Sequence, residues 1–207
     1  TPAGLLSTFA GPGPASYANG TGPAASFPAP SGVAVDGSGN VYVADTYNGM
    51  IRKITPDGVV SVLAGSGVPT FADGTGTAAS FYYPNAVCAD GSGAVYVADT
   101  YNNMIRKITP EGVVSTVAGS GAAAKVDGHG TGASFDHPVG LNFDGSNNLY
   151  VTDWNSSDIR QIAPDGTVTT LAGGTYGSAD GTGSAAQFKS PWGLVVDPST
   201  DTIFVSD

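Results

Sequence analysis

The chain has 207 residues, with 31 Gly, 14 Pro and only 12% charged side chains, and 17 Asp and Glu against seven Lys and Arg set its formal charge at −10. A field of that sign repels phosphates and so excludes nucleic acid and anionic membrane surfaces as partners. No apolar run approaches the roughly 20 residues of a membrane span, and no charged-then-apolar leader opens the chain, so a secretory signal is expected to have been removed already. One cysteine, Cys88, leaves no intramolecular disulfide framework.

Taken in order, the chain is a repeat. Asp45, Asp99, Asp153 and Asp207 recur every 54 residues, as do Gly11, Gly65, Gly119 and Gly173. Leu5–Ala10 (LLSTFA) aligns with the last apolar run of a period, because Gly11 aligns with Gly65. The first full period then holds four short runs: Gly32–Asp36, Val41–Asp45, Met50–Ile54 and Val59–Ala64. Each is rich in Val, Ile or Tyr and too short for a helix. Between them stand Gly37-Ser38-Gly39-Asn40 and Thr55-Pro56-Asp57-Gly58, residues that accept positive φ or preset a turn. Four strands per period joined as a meander predict an all-β fold, a β-propeller of four-stranded antiparallel blades.

The run from Pro30 to Ile54, repeated at Pro84–Ile108 and more loosely at Pro138–Ile162, resembles the NHL repeat, with a partial copy from Pro191 to Asp207. The resemblance implies interaction platforms and sensors and, less often, lyases or hydrolases, and it favours a ring of six blades. The repeats fall at about 12–65, 66–119, 120–173 and 174–207, with strand 5–10 expected to be the outermost strand of the last blade. The third strand of that blade is the one not found. The expectation is therefore a single propeller domain or propeller segment, part of a larger ring or completed by self-association, with a closed four-bladed ring as the alternative.

Strand direction assigns a face. The second-to-third turn and the link of about 20 residues between blades share one end, and long loops on a rigid scaffold are where binding concentrates. That end carries Tyr47, Tyr101 and Trp154, followed by Asn48, Asn102 and Asn155, and the links add Tyr17, Phe71, Tyr82, Tyr83, Tyr176 and Trp192. Rings beside amides can stack on sugars or grip peptide side chains. Their commoner use is simply to pack the blade tops. Tyr47, Asn48, Tyr101, Asn102, Trp154, Asn155 and Trp192 are the candidate ligand contacts, whereas Phe27, Phe81, Phe135 and Phe188 suit wedges between blades.

Four other sets have competing readings. The D-G-x-G segments at Asp73, Asp127 and Asp180, with Asn19 as variant, suit Asx turns, and calcium is the alternative. Arg52, Arg106 and Arg160 on middle strands call for carboxylate partners among the Asp residues that end the first two strands, a repeated latch. A ring of those carboxylates holding a cation in the channel is the alternative. His129 and His137 share one link beside Asp127 and Asp136, and either surface histidines or a metal or general-base site would account for them. A third zinc ligand is missing, and Cys88 is expected to be buried and inert.

The functional expectation is a non-enzymatic platform binding protein, peptide or glycan through the long-loop face, with no cofactor. A lyase or hydrolase near His129 and His137 and a structural surface or filament component are the alternatives. The polar, acidic composition suits an extracellular, cell-surface or periplasmic location.

Overall fold

The computed structural model describes residue 4, residues 6–11 and residues 17–207. Strands form where the turn chemistry allows. The first blade comprises Pro30–Val35, Val41–Asp45, Met50–Ile54 and Val59–Ala64, each antiparallel to the next. The second comprises Pro84–Ala89, Val95–Asp99, Met104–Ile108 and Val113–Ala118. The third comprises Pro138–Phe143, Leu149–Asp153, Asp158–Ile162 and Thr167–Gly173. Leu194–Val196 pairs with Ile203–Val205 as the first two strands of a further blade.

Each complete blade has a fifth strand that the four-run pattern does not contain. Gly20–Thr21, Gly74–Thr75 and Gly128–His129 pair with the outer strands at Val59 and Val60, Val113 and Val114, and Thr167 and Val168. These are the N-G-x-G and D-G-x-G segments. The link thus runs along the outer edge of the blade it introduces and covers an otherwise unpaired strand. Its end is pinned to the far turn, where Gly22, Gly76 and Gly130 N–H groups each donate to Gly58, Gly112 and Gly166 carbonyls at 2.9 Å.

The core lies between blades. Tyr42, Ala44, Ile51 and Ala64 of the first meet Phe81, Val87, Val97 and Ile108 of the second. Cys88, Ala98, Ile105 and Ala118 then meet Phe135, Leu141, Val151 and Ile162 of the third. Thr46 and Thr100 hydroxyls donate to the next blade's Pro84 and Pro138 carbonyls at 2.8 and 2.7 Å. Gly119 marks where the outer strand must leave: φ is +104°, and a Cβ would stand 2.5 Å from the Asn103 carbonyl oxygen. Gly119→Ala should therefore cost well over about 1 kcal/mol, and urea unfolding of the variant measures it.

Leu5 lies outside the described residues, and residues 6–10 form no strand. Phe9 and Ala10 line an apolar cleft of the first blade with Phe27, Val41 and Val43. Gly11 N–H donates to Gly22 O at 3.1 Å, just as Gly65 N–H donates to Gly76 O at 3.1 Å. The segment therefore sits against the first blade where the outer strand of a preceding blade would sit. With no neighbouring strand beside it, no ladder forms.

Candidate functional site

The three arginines organise each blade from inside. Arg106 is fully buried. Its Nη1 donates to Asp99 Oδ2 at 2.7 Å and Ser80 O at 3.3 Å, and its Nη2 donates to Ala72 O at 2.9 Å and Asp73 Oδ1 at 2.6 Å. Its guanidinium carbon lies over the Phe71 and Phe81 rings, 4.7 and 5.3 Å from their centroids. Arg52 repeats this with Asp45, Ser26 O, Ala18 O and Asn19, over Tyr17 and Phe27. Arg160 repeats it with Ser134 O, Val126 O and Asp127, over Phe135. Asp153 Oδ2 stands further off, 3.6 Å from Arg160 Nη1. The latch joins each Arg to the Asp ending the preceding strand, and the phenylalanines are its stacking wall.

The latch revises two other readings. Asn19, Asp73 and Asp127 turn their side-chain oxygens to arginine instead of closing Asx turns. One oxygen of Asp73 and one of Asp127 thus face arginine, and among the described residues no cluster of three or more metal-type ligands occurs. Asp36, Asp90, Asp144 and Asp197 do not reach the arginines. Each caps the tight turn after its strand, as when Asp36 Oδ1 accepts the Ser38 and Asn40 N–H groups at 2.9 Å.

The face bearing the long loops holds a cavity of about 380 Å³. Its wall is an arc of rings in mutual contact. Tyr47 meets Tyr83 at 5.2 Å between centroids and Tyr83 meets Tyr101 at 4.9 Å. Tyr101 meets His137 at 5.0 Å, His137 meets Trp154 at 6.2 Å, and Trp154 meets Trp192 at 6.1 Å. Every step is near perpendicular, 74° to 86°. Rings from the second-to-third turns (Tyr47, Tyr101, Trp154) alternate with rings from the links (Tyr83, His137, Trp192). Backbone bonds set this order: Tyr101 N–H donates to Tyr82 O and Trp154 N–H to His137 O, both at 3.1 Å. Tyr83 and His137 stand at φ of 54° and 64°. That left-handed backbone costs an L-residue about 1–2 kcal/mol and gathers at ligand sites.

Four of the seven candidate contacts (Tyr47, Tyr101, Trp154 and Trp192) line this cavity, and the three asparagines do not. Asn48 Nδ2 donates to Asp45 Oδ1 at 2.9 Å and Asn102 Nδ2 to Asp99 Oδ2 at 2.8 Å. Asn155 Nδ2 is 3.2 Å from Asp136 Oδ1 and 3.0 Å from His137 Nδ1. Two of these amides therefore brace the latch carboxylates, and the third braces the Asp136–His137 pair. Tyr83, noted among the link aromatics, and His137, noted as a surface or metal and general-base histidine, were not among the expected ligand contacts. Their signal is positional, since both stand just before the repeat's proline, where the other copies have Ala29 and Ser190.

The histidines part company: His129 is exposed, with Nε2 2.6 Å from Asp165 O, while His137 Nδ1 is 2.7 Å from Asp136 Oδ1. Cys88 is buried, which pushes its thiol pKa up and leaves it inert.

Burial pushes the Asp99 carboxyl up to about 6. Asp153 rises to about 7, from burial first and then from Asp158, and burial also raises Asp158. Asp158 stands where the other blades have Met50 and Met104, and Lys125 stands where they have Tyr17 and Phe71. The third blade thus places a Lys125–Asp158 ion pair of 3.1 Å at positions where its neighbours have an aromatic residue and a methionine.

Comparison with known proteins agrees with this architecture. The NHL repeat pattern matches residues 27–54 and 81–108. A protein of Arabidopsis thaliana, SUPPRESSOR OF QUENCHING 1, is 33% identical over 171 residues, 77% of this chain but 16% of its own length. An auxiliary nutrient binding protein of Bacteroides thetaiotaomicron superposes with TM-score 0.68 at 22% identity, over 85% of this chain and 44% of its own. Virginiamycin B lyase of Staphylococcus aureus gives 0.54 at 18%, over 86% and 48%. The chain thus spans less than half of each of these proteins. Its fold and repeats define an all-β propeller. It belongs to the NHL-repeat β-propellers.

Proposed function

We propose that this chain is a non-enzymatic binding platform whose ligand, carried on a peptide, protein or glycan, seats in the aromatic cavity of the long-loop face. The observation that carries it is the unbroken arc of six rings along the cavity wall. Tyr47 is 68% exposed, Trp192 53% and Tyr101 46%, so these rings are open to a partner. The repeat gives three perpendicular ring pairs in a row, Tyr47–Tyr83, Tyr101–His137 and Trp154–Trp192. Sites of this kind are individually weak and gain affinity when several are engaged. The similar fold of an auxiliary nutrient binding protein supports a binding role, and the described residues include no helix long and apolar enough to cross a membrane.

A second reading, an enzyme, draws on one pair. Asp136 holds His137 by Nδ1 while Nε2 has no hydrogen-bond partner among the described residues, the arrangement of a general base. The site offers no second acid or activated nucleophile among its described lining residues, so binding is the better account. The enzyme takes the lead if a substrate is turned over by the native chain and not by His137→Ala.

The test of the platform is removal of the rings. Tyr47→Ala, Tyr101→Ala and Trp154→Ala together should abolish binding on a peptide and glycan array. Far-UV circular dichroism should stay unchanged, because these rings sit above the blades rather than in the core. Retained binding by the triple variant sinks the proposal.

A further inference from the structure

We infer that the cavity takes a weakly hydrated organic cation, a methylated ammonium or a guanidinium, and this rests on the binding reading above. A polyhydroxylated ligand needs free amides and carboxylates around its rim, since polar recognition depends on groups that are otherwise unpaired. Here those groups are taken. Asn48 and Asn102 are bonded to latch carboxylates, Asn155 to Asp136, and Asn85 Nδ2 to Thr100 Oγ1 at 2.9 Å. What remains toward the cavity is aromatic surface and the His137 ring. A ring face is electron-rich and attracts a cation within about 6 Å of its centroid, best when the cation is poorly hydrated.

The charge distribution points the same way. Among the described residues no Lys or Arg lines the cavity. The three arginines are buried in latches, and the chain carries a formal charge of −10. Such a field raises the local concentration of cations at an open mouth and repels anions. The chain also uses the same chemistry internally, holding the Arg106 guanidinium over Phe71 and Phe81.

The two tryptophans of the chain, Trp154 and Trp192, both line the cavity, so intrinsic fluorescence reports its occupancy. Choline should give a saturable change at a concentration at least about fivefold lower than its neutral isostere 3,3-dimethylbutan-1-ol. An arginine-bearing peptide compared with its citrulline counterpart tests the other source of the cation. Binding of choline alone identifies a small molecule, and binding of the peptide alone identifies a segment of a partner protein. Tyr101→Phe should retain the affinity and Tyr101→Leu should lose it. If Tyr101→Leu does not fold, Tyr47→Leu at the exposed end of the arc replaces it. Equal binding of charged and neutral members overturns the inference, as does a fluorescence response to oligosaccharides but not to cations. In the oligosaccharide case the platform stands. If no ligand of any class depends on the rings, both proposals fall.

Discussion

Arg106→Met should destabilise the chain by about 3–5 kcal/mol, the cost of leaving one partner of a buried ion pair alone. The Arg106 and Asp99 side chains are both fully buried. Without the guanidinium, Asp99 keeps only the Asn102 amide and the Tyr82 N–H, and the Ser80 and Ala72 carbonyls lose their side-chain donor and keep only each other's backbone N–H. The loss should be insensitive to salt, because screening acts on exposed charges. Asp73→Asn should cost less than about 1 kcal/mol, since that carboxylate is half exposed and the first blade natively uses Asn19 there. Blades touch only their neighbours, so the damage should centre on the second blade. Amide hydrogen exchange across 84–118, beside urea titration, resolves it. A loss below about 1 kcal/mol for Arg106→Met would show that the latch is not what holds the blade.

Much of this architecture is written locally. Strands and tight turns follow from alternation of Val, Ile and Tyr with Gly, Asn and Pro, and the first-blade boundaries expected from those residues fall within two residues of the strands observed. The latch was legible because an arginine on a middle strand cannot be buried alone. Its second acceptor was not legible: Asp73 lies 33 positions before Arg106, and the two meet only because the link folds along the outer edge. The same folding turned apparent turn or calcium residues into arginine ligands. At the site, Tyr47, Tyr101 and Trp154 declared themselves by recurrence. Their asparagines were misleading, because a side chain next to an exposed ring in sequence points back to Asp45, Asp99 or Asp136 in space. Tyr83 and His137 differ in residue type between copies, so recurrence did not mark them as contacts, although each was noted for another reason.

Lys125→Phe, which gives the third blade the aromatic residue its neighbours have, should destabilise by about 3–5 kcal/mol, because it leaves the buried Asp158 carboxylate without its cation. Asp158→Met should be far milder, since the Lys125 side chain is 37% exposed and can turn to water. The double variant restores the pair that Phe71 and Met104 form in sequence register, and should equal the native chain or exceed it by about 1–4 kcal/mol. Such non-additivity is what two contacting residues produce. The pH dependence supplies an independent check. The folded pKa of Asp153, about 7, lies above its ordinary 3.8, so the native state holds that proton more tightly than the unfolded chain does. The resulting stability is fully present below about pH 4 and is lost as pH rises through about 7. Carboxylates lowered by their turn hydrogen bonds, such as Asp36 and Asp144, act in the opposite sense, below their ordinary range. The native melting temperature should therefore fall between pH 5 and pH 8. Asp158→Met removes the repulsion on Asp153 and should reduce that fall, although the raised Asp99 keeps part of it. An unchanged slope in Asp158→Met would mean that burial alone sets the Asp153 proton, and that the third blade's ion pair is a packing substitution with no electrostatic reach.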